Sequence, residues 1–209
     1  MKTILCYGDS NTWGYEPERD GRLAWDQRWP GILQDKLGPG YRVIENGLCG
    51  RTTCHESKRE PFVNGYPEAR VCAEVNAPLS IAVVMLGTND CKDEYGSDPA
   101  RIAEDVKAVA KVFRERGAKI LILSPAPIRG LEKSPFRDEF GLGAEEKSRR
   151  LPHCLQKMAE EMGWQFLEAG SLVKPGDYDG IHLPAGEHAR LAEAVAGKIR
   201  ELSKDIDQK

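Results

Sequence analysis

Ser10, Asp179 and His182 are the residues whose types and spacing could together perform nucleophilic chemistry. A serine hydroxyl attacks poorly at neutral pH unless a base takes its proton and donors hold the oxyanion that forms. The chain has four histidines, His55, His153, His182 and His188, and only His182 follows a carboxylate by three residues in a glycine-containing turn, Asp179-Gly180-Ile181-His182. That spacing lets Asp179 reach the imidazole locally, fix its tautomer and stabilise the imidazolium. His153 falls within an expected helix and His188 in the first turns of another, so both read as surface or helix-packing residues. Three donors are available for an oxyanion: the backbone N–H of Ser10, the backbone N–H of Gly50 and the side-chain amide of Asn89. Gly50, lacking Cβ, lets a substrate approach the backbone closely, whereas Gly47 reads as a plain turn glycine.

These residues are far apart in the chain, so elements must bring them together. Ile4 to Tyr7 is a short apolar run of the kind that forms a buried strand, and Gly8-Asp9-Ser10 follows it with turn formers and the hydroxyl. Tyr15 to Asp26 reads as a polar surface loop over the mouth of the site. Trp29, Ile32, Leu33 and Leu37 fall at helical spacing, ended by Gly38-Pro39-Gly40. Tyr41 to Glu45 predicts a second strand, followed by the loop Asn46 to Thr53 that carries Gly50. Gly65 to Val75 reads as a short helix. Leu79 to Leu86 is nearly continuous in apolar character, as a strand covered on both faces should be, and it ends in Gly87-Thr88-Asn89-Asp90. Pro99 to Arg116 is amphipathic, with Ile102, Val106, Val109, Ala110 and Phe113 on one face. Lys119 to Ser124 predicts a fourth strand, Glu145 to Met162 a helix, Trp164 to Leu167 a fifth strand and Pro184 to Leu202 a closing helix. The alternation predicts an α/β fold built on a doubly wound, mainly parallel five-stranded sheet, with the site loops at one edge. Pro125 to Gly143, with Phe136 and Phe140 among prolines and glycines, is a long connection that suits a lid or a contact surface.

Composition bounds the partners. The 209 residues suit one domain, residues 1–209, with no internal repeat or linker. A net charge of -3 lacks the strongly basic profile of a nucleic-acid binder, so none is expected. No apolar run approaches membrane-spanning length and no export signal precedes Ser10, so the expected location is cytoplasmic, away from any membrane. Cys6, Cys49, Cys54, Cys72, Cys91 and Cys154 are irregularly spaced and read as reduced thiols. Cys49, Cys54 and His55 match no structural zinc pattern, and neither a metal nor a cofactor is expected.

Gly8-Asp9-Ser10, Gly50, Gly87-Thr88-Asn89-Asp90 and Asp179-Gly180-Ile181-His182 resemble, in order, the four sequence blocks of the SGNH (GDSL-type) hydrolases. The fuller stretches Gly8 to Tyr15, Arg28-Trp29, Gly50 to Thr53, Met85 to Asp90 with Lys92, and Asp179 to His182 are similar to the bacterial arylesterase and acyltransferase branch of that superfamily. The resemblance implies Ser10 as nucleophile, His182 as base, Asp179 as its partner, and Ser10, Gly50 and Asn89 as the oxyanion hole. It further implies a flavodoxin-like three-layer α/β/α sandwich with sheet order 2-1-3-4-5, and a homo-oligomer, octameric in some members. The serine does not lie in a G-x-S-x-G elbow, so α/β-hydrolase logic does not apply.

The expected activity is hydrolysis of small aryl or alkyl short-chain esters through an acyl-enzyme, with acyl transfer to alcohols open to the same intermediate. Trp13, Tyr15, Ile181 and residues of the 125–143 loop are expected to line a narrow acyl pocket, with Lys92 at its mouth and Thr88 also among the substrate-binding residues. Two alternatives stand beside this reading. One is O-deacetylation of a carbohydrate or other natural product, and the other is a non-catalytic binding module on the same fold.

Overall fold

The computed structural model describes residues 1–58 and 60–207. In chain order the elements are β1 (Lys2–Gly8), α1 (Ser10–Trp13), β2 (Tyr15–Glu16), β3 (Gly21–Arg22), α2 (Trp29–Leu37), β4 (Tyr41–Gly47), α3 (Gly65–Val75) and β5 (Ile81–Met85). They continue with α4 (Pro99–Glu115), β6 (Lys119–Ser124), α5 (Arg137–Phe140), α6 (Gly143–Met162), β7 (Gln165–Glu168) and α7 (Ala185–Asp207). Short 3₁₀ turns fill several connections, including Asn89–Cys91, Asp93–Tyr95 and Leu131–Lys133.

The main sheet is parallel throughout, in the order β4-β1-β5-β6-β7, which is the expected 2-1-3-4-5 when its own strands are counted. Its central strands β1, β5 and β6 are apolar on both faces because both faces are covered, whereas the edge strands β4 and β7 are partly exposed and carry polar residues. Leu5, Tyr7, Ala82 and Val84 belong to the core beneath α3, α4 and α6, while Ile4, Cys6, Ile81 and Val83 belong to the core beneath α2 and α7. A side-chain period of two turns one apolar run into two cores, so polar residues are excluded from the interiors of the central strands.

The chain leaves β1 through α2 to reach β4 on one side, then crosses through α3 to β5 on the other. The two crossovers lie on opposite faces, so the loops after β1 and β5 diverge and leave a crevice at the carboxyl edge between them. Ser10 follows β1 and Asn89 follows β5.

Four local expectations change. The residues after Gly8 are not a turn but the helical turn α1, capped by the Asp9 carboxylate, which accepts the Asn11 N–H at 2.9 Å. The Tyr15 to Asp26 loop contains the small hairpin β2-β3. The central strand is shorter than its apolar run, because Leu79 and Leu86 pack in the core outside the ladder. The 125–143 segment is not a bare connection: it holds a 3₁₀ turn and α5, with Leu131 and Phe140 buried in the core as its anchors. Among the described residues, no helix is long and apolar enough to cross a membrane.

Candidate active site

Ser10 is the first residue of α1, placed directly beyond the β1 edge. Two glycines allow this. A Cβ on Gly8 would lie 2.1 Å from Thr12 Oγ1, and a Cβ on Gly47 would lie 2.1 Å from the Trp13 backbone nitrogen. Gly47 is therefore not a plain turn glycine: it ends β4, and its bare backbone is the surface on which α1 rests.

The His182 loop is fastened to the same helix. Asn11 Nδ2 donates to the Ile181 carbonyl at 3.2 Å, and the Leu183 N–H donates to Asn11 Oδ1 at 2.9 Å. Gly180, at φ +72°, makes the turn, and a Cβ there would overlap the Arg129 carbonyl. With the loop so held, His182 Nε2 lies 2.9 Å from Ser10 Oγ and His182 Nδ1 lies 2.6 Å from Asp179 Oδ2. The second Asp179 oxygen accepts the N–H groups of Ile181 at 2.9 Å and His182 at 3.0 Å. Burial pushes the Asp179 carboxyl up, but the imidazole and the two N–H groups outweigh it and hold it below the ordinary carboxylate range. Asp179 thus stays ionised and acts only as acceptor. That places the proton on Nδ1 and turns the Nε2 lone pair toward the Ser10 hydroxyl.

The donor loops are joined by Arg51, which is only 1% exposed. Its guanidinium lies 4.3 Å from the centroid of the Tyr7 ring. Its Nη1 donates to the carbonyls of Gly8 at 2.7 Å and Asn46 at 2.6 Å, and its Nη2 donates to Asn46 Oδ1 at 2.8 Å and Glu68 Oε2 at 2.7 Å. Asn89 Nδ2 in turn donates to the Arg51 carbonyl at 3.0 Å. The buried Asp90 carboxylate accepts both the N–H and the hydroxyl of Thr53. The strand end before Ser10, the Gly50 loop and the Asn89 turn are consequently one hydrogen-bonded unit. Gly50 itself has φ +75°, which favours glycine, and the Glu60 carboxylate occupies the place a Cβ would take.

A cavity of about 190 Å³ opens over Ser10, Gly50, Asn89 and His182. Tyr15, Ile181, Phe136 and Phe140 wall it, with Cys49, Glu60 and Glu139 completing the rim. The Tyr15 and Phe136 rings stand edge-on to the His182 ring, at centroid distances of 4.7 and 5.7 Å. Tyr15 and Ile181 line the cavity as expected, and so do residues of the 125–143 loop. Four other expectations are corrected. Trp13 does not line it, because the Arg22 side chain covers its ring at 4.6 Å and donates to its carbonyl. Thr88 is buried beneath the site, beside Asp9, Asn11 and Met85. Lys92 is buried rather than at the mouth and pairs with Glu139. Phe136 and Phe140 face the cavity and the core, so they form no exposed apolar patch.

Sequence reasoning overlooked Asn11 and Arg51 as organisers, although both stand inside motifs it singled out. Glu60 and Glu139 gave no signal, since a single glutamate in a polar stretch is indistinguishable from a solvated one. His153 and His188 are away from the cavity: His188 is buried against the start of α2, where the Trp29 N–H donates to its Nδ1 at 3.2 Å. His55 stacks on Tyr95 and shares a hydrogen bond of 3.0 Å with Ser97.

The GDSL-like lipase/acylhydrolase family model matches residues 6–190 of the chain. The native aryl esterase of M. smegmatis is similar with a TM-score of 0.92 and 33% identity, the match covering 97% of this chain and 100% of that one. Est24, a carbohydrate acetylesterase from Sinorhizobium meliloti, has a TM-score of 0.90 and 32% identity over 97% of this chain and 100% of that one. The acetylxylan esterase of Xylanibacter ruminicola is 26% identical over 220 residues, 94% of this chain but 43% of that protein, so this chain spans less than half of that relative's length.

Proposed function

The chain belongs to the GDSL-like lipase/acylhydrolase family, a family of ester-cleaving enzymes, and we propose that it is a serine esterase acting on small acyl esters through a Ser10-His182-Asp179 triad. The observation that carries the reading is the relay of 2.9 and 2.6 Å from Ser10 Oγ through His182 to Asp179 at the floor of a small cavity. Ser10 Oγ attacks the carbonyl carbon while His182 Nε2 takes its proton. The N–H groups of Ser10 and Gly50 and the Asn89 amide receive the oxyanion. Collapse expels the alcohol, protonated by His182, and leaves an acyl-Ser10 ester. A water deprotonated by the same histidine then releases the acid. Asp179 holds the imidazole throughout and stabilises its charged form.

A cavity of about 190 Å³ suits acetyl to butyryl groups better than long chains. An alcohol in place of water would take the acyl group by the same route, which is the acyl-transfer activity. O-deacetylation of sugars is a second reading, supported by the likeness to Est24 and by Glu60 at the rim, an acceptor for alcohol hydroxyls.

Reaction of the protein with a serine-directed fluorophosphonate, followed by peptide mapping, tests the mechanism. The expected result is one adduct on Ser10, and loss of p-nitrophenyl acetate turnover in Ser10→Ala by about 10⁵-fold or more with the fold retained. Undiminished turnover in that variant would end the proposal. A panel of acetylated sugars against aryl acetates separates the two substrate readings.

A further inference from the structure

Lys92 is a buried cation that the mechanism leaves without a task. It follows the Asn89–Cys91 turn directly, and its ammonium lies 2.5 Å from Glu139 Oε1 and 5.3 Å from the centroid of the Phe140 ring. Glu139 and Phe140 are consecutive residues of α5, and both line the cavity. Further ties follow the same seam. Asp93 accepts from Lys147 Nζ at 2.9 Å and from the Gly143 N–H at 3.4 Å, and Lys147 also donates to the Cys91 carbonyl at 3.2 Å. The Asp93 carboxylate lies where a Cβ on residue 141 or 143 would be, at 2.2 and 2.6 Å, and Gly141 also has φ +75°, which favours glycine.

Direction within the cavity follows from the chemistry. The leaving alcohol must depart beside His182, which protonates it, and that side is flanked by Tyr15 and Phe136. The acyl chain must therefore extend away from the imidazole. Glu139 and Phe140 line the same cavity and are fixed to the segment that carries Asn89, whereas the rings packed on the imidazole are those of Tyr15 and Phe136.

We propose that the Lys92–Glu139 pair is a latch that holds α5 as the end wall of the acyl pocket and so sets the longest acyl chain accepted. The inference rests on the esterase reading and names a specificity determinant of that site. Lys92 is a positioning residue: it acts through Glu139 and Phe140, not on the substrate. Without it the Glu139 side chain, which is partly exposed, turns to solvent, and the short α5 keeps its buried Phe140 anchor but loses its polar tie to the Asn89 segment. The space gained lies at the chain end and leaves the carbonyl untouched.

The test compares Lys92→Met, Glu139→Gln and the charge exchange Lys92→Glu/Glu139→Lys with the original protein. Two quantities are read: kcat/KM across p-nitrophenyl acetate, butyrate, hexanoate and octanoate, and calorimetric affinity for the corresponding free carboxylates. In both single variants the hexanoate-to-acetate ratio of kcat/KM should rise about tenfold, the scale of a pocket that gains room for one or two methylenes. Carboxylate affinities should shift in the same order, and the charge exchange should restore the short-chain preference at least in part. Glu139→Gln guards against a misfolded Lys92→Met, since its side chain is the more exposed of the two. An unchanged ratio in folded variants, or an equal loss on all chain lengths, would overturn the latch. Shifted carboxylate selectivity in a protein that cleaves no ester would uphold the latch and remove the esterase reading instead.

Discussion

Two buried aspartates near the Ser10 hydroxyl have opposite fates. Asp179 is supplied with an imidazole and two backbone N–H groups and stays ionised. Asp9 has the Asn11 N–H and the distant pull of His182, and burial prevails, pushing its carboxyl up to about 6. Its folded-state value exceeds the ordinary 3.8, so the folded protein binds more protons than the unfolded chain between about pH 4 and 6. The associated stability is fully present below the ordinary value and is lost as pH rises through about 6. The loss is at most about 3 kcal/mol, from the size of the shift. Asn at this position keeps an oxygen for the helix cap and has nothing to ionise. Asp9→Asn should therefore match the original protein near pH 4 and exceed its stability at pH 8, by about 1–3 kcal/mol in urea titrations. A difference that does not vary with pH would disprove the assignment.

At the scale of elements, the site depends on how closely α1 lies on the sheet edge. Gly47 is the point of closest approach, where a Cβ would contact the backbone of Thr12 and Trp13 at 2.6 and 2.1 Å. Backbone cannot rotate away as a flexible side chain can, so α1 must move bodily. Gly47→Ala should cost about 1–3 kcal/mol of stability and displace Ser10 from His182. The expected signature is a lower urea midpoint together with slowed fluorophosphonate labelling of Ser10. Full labelling at the original rate would mean that α1 tolerates the shift. Arg51 can be buried because its guanidinium finds acceptors in the carbonyls of Gly8 and Asn46 at the ends of β1 and β4 and in the side chains of Asn46 and Glu68.

At the scale of the molecule, His188 ties together the two helices that cover one face of the sheet. It lies on α7, accepts the N–H of Trp29 at the start of α2, and is held down to about 4 chiefly by burial. Here the folded-state value is depressed, so the stability is present above the ordinary 6.5 and is lost as pH falls through about 4. Asp9 and His188 therefore oppose one another between about pH 4 and 6. His188→Gln should lose the acid-side decline, and Asp9→Asn should show it more steeply than the original protein. Thermal melts between pH 4.5 and 7.5 would reveal this, and parallel curves for all three proteins would exclude it.

The candidate site was partly legible in the sequence because Ser10 and Asn89 follow strands of apolar character and Asp179 stands three residues from His182. Ser10 comes after Ile4 to Tyr7, Asn89 after Ile81 to Met85, and Asp179 reaches His182 within one turn. The sheet order followed from the family resemblance, and the pattern of alternating strands and helices agreed with it. What lay beyond the sequence were contacts between residues distant in the chain with no local pattern of their own. Gly47 looked like any turn glycine until α1 was seen to rest on it. Phe136 and Phe140 suited a contact surface as well as a pocket wall until the fold set them against the cavity, and Lys92 was expected at the mouth until it proved buried, 2.5 Å from Glu139. Local pattern determines which residues end a strand, because propensity and period act over a few positions. Lys92, Glu139, Gly47 and Arg51 took their roles from tertiary structure alone, because each acts through a contact between segments distant in the chain, as Lys92 and Glu139 do.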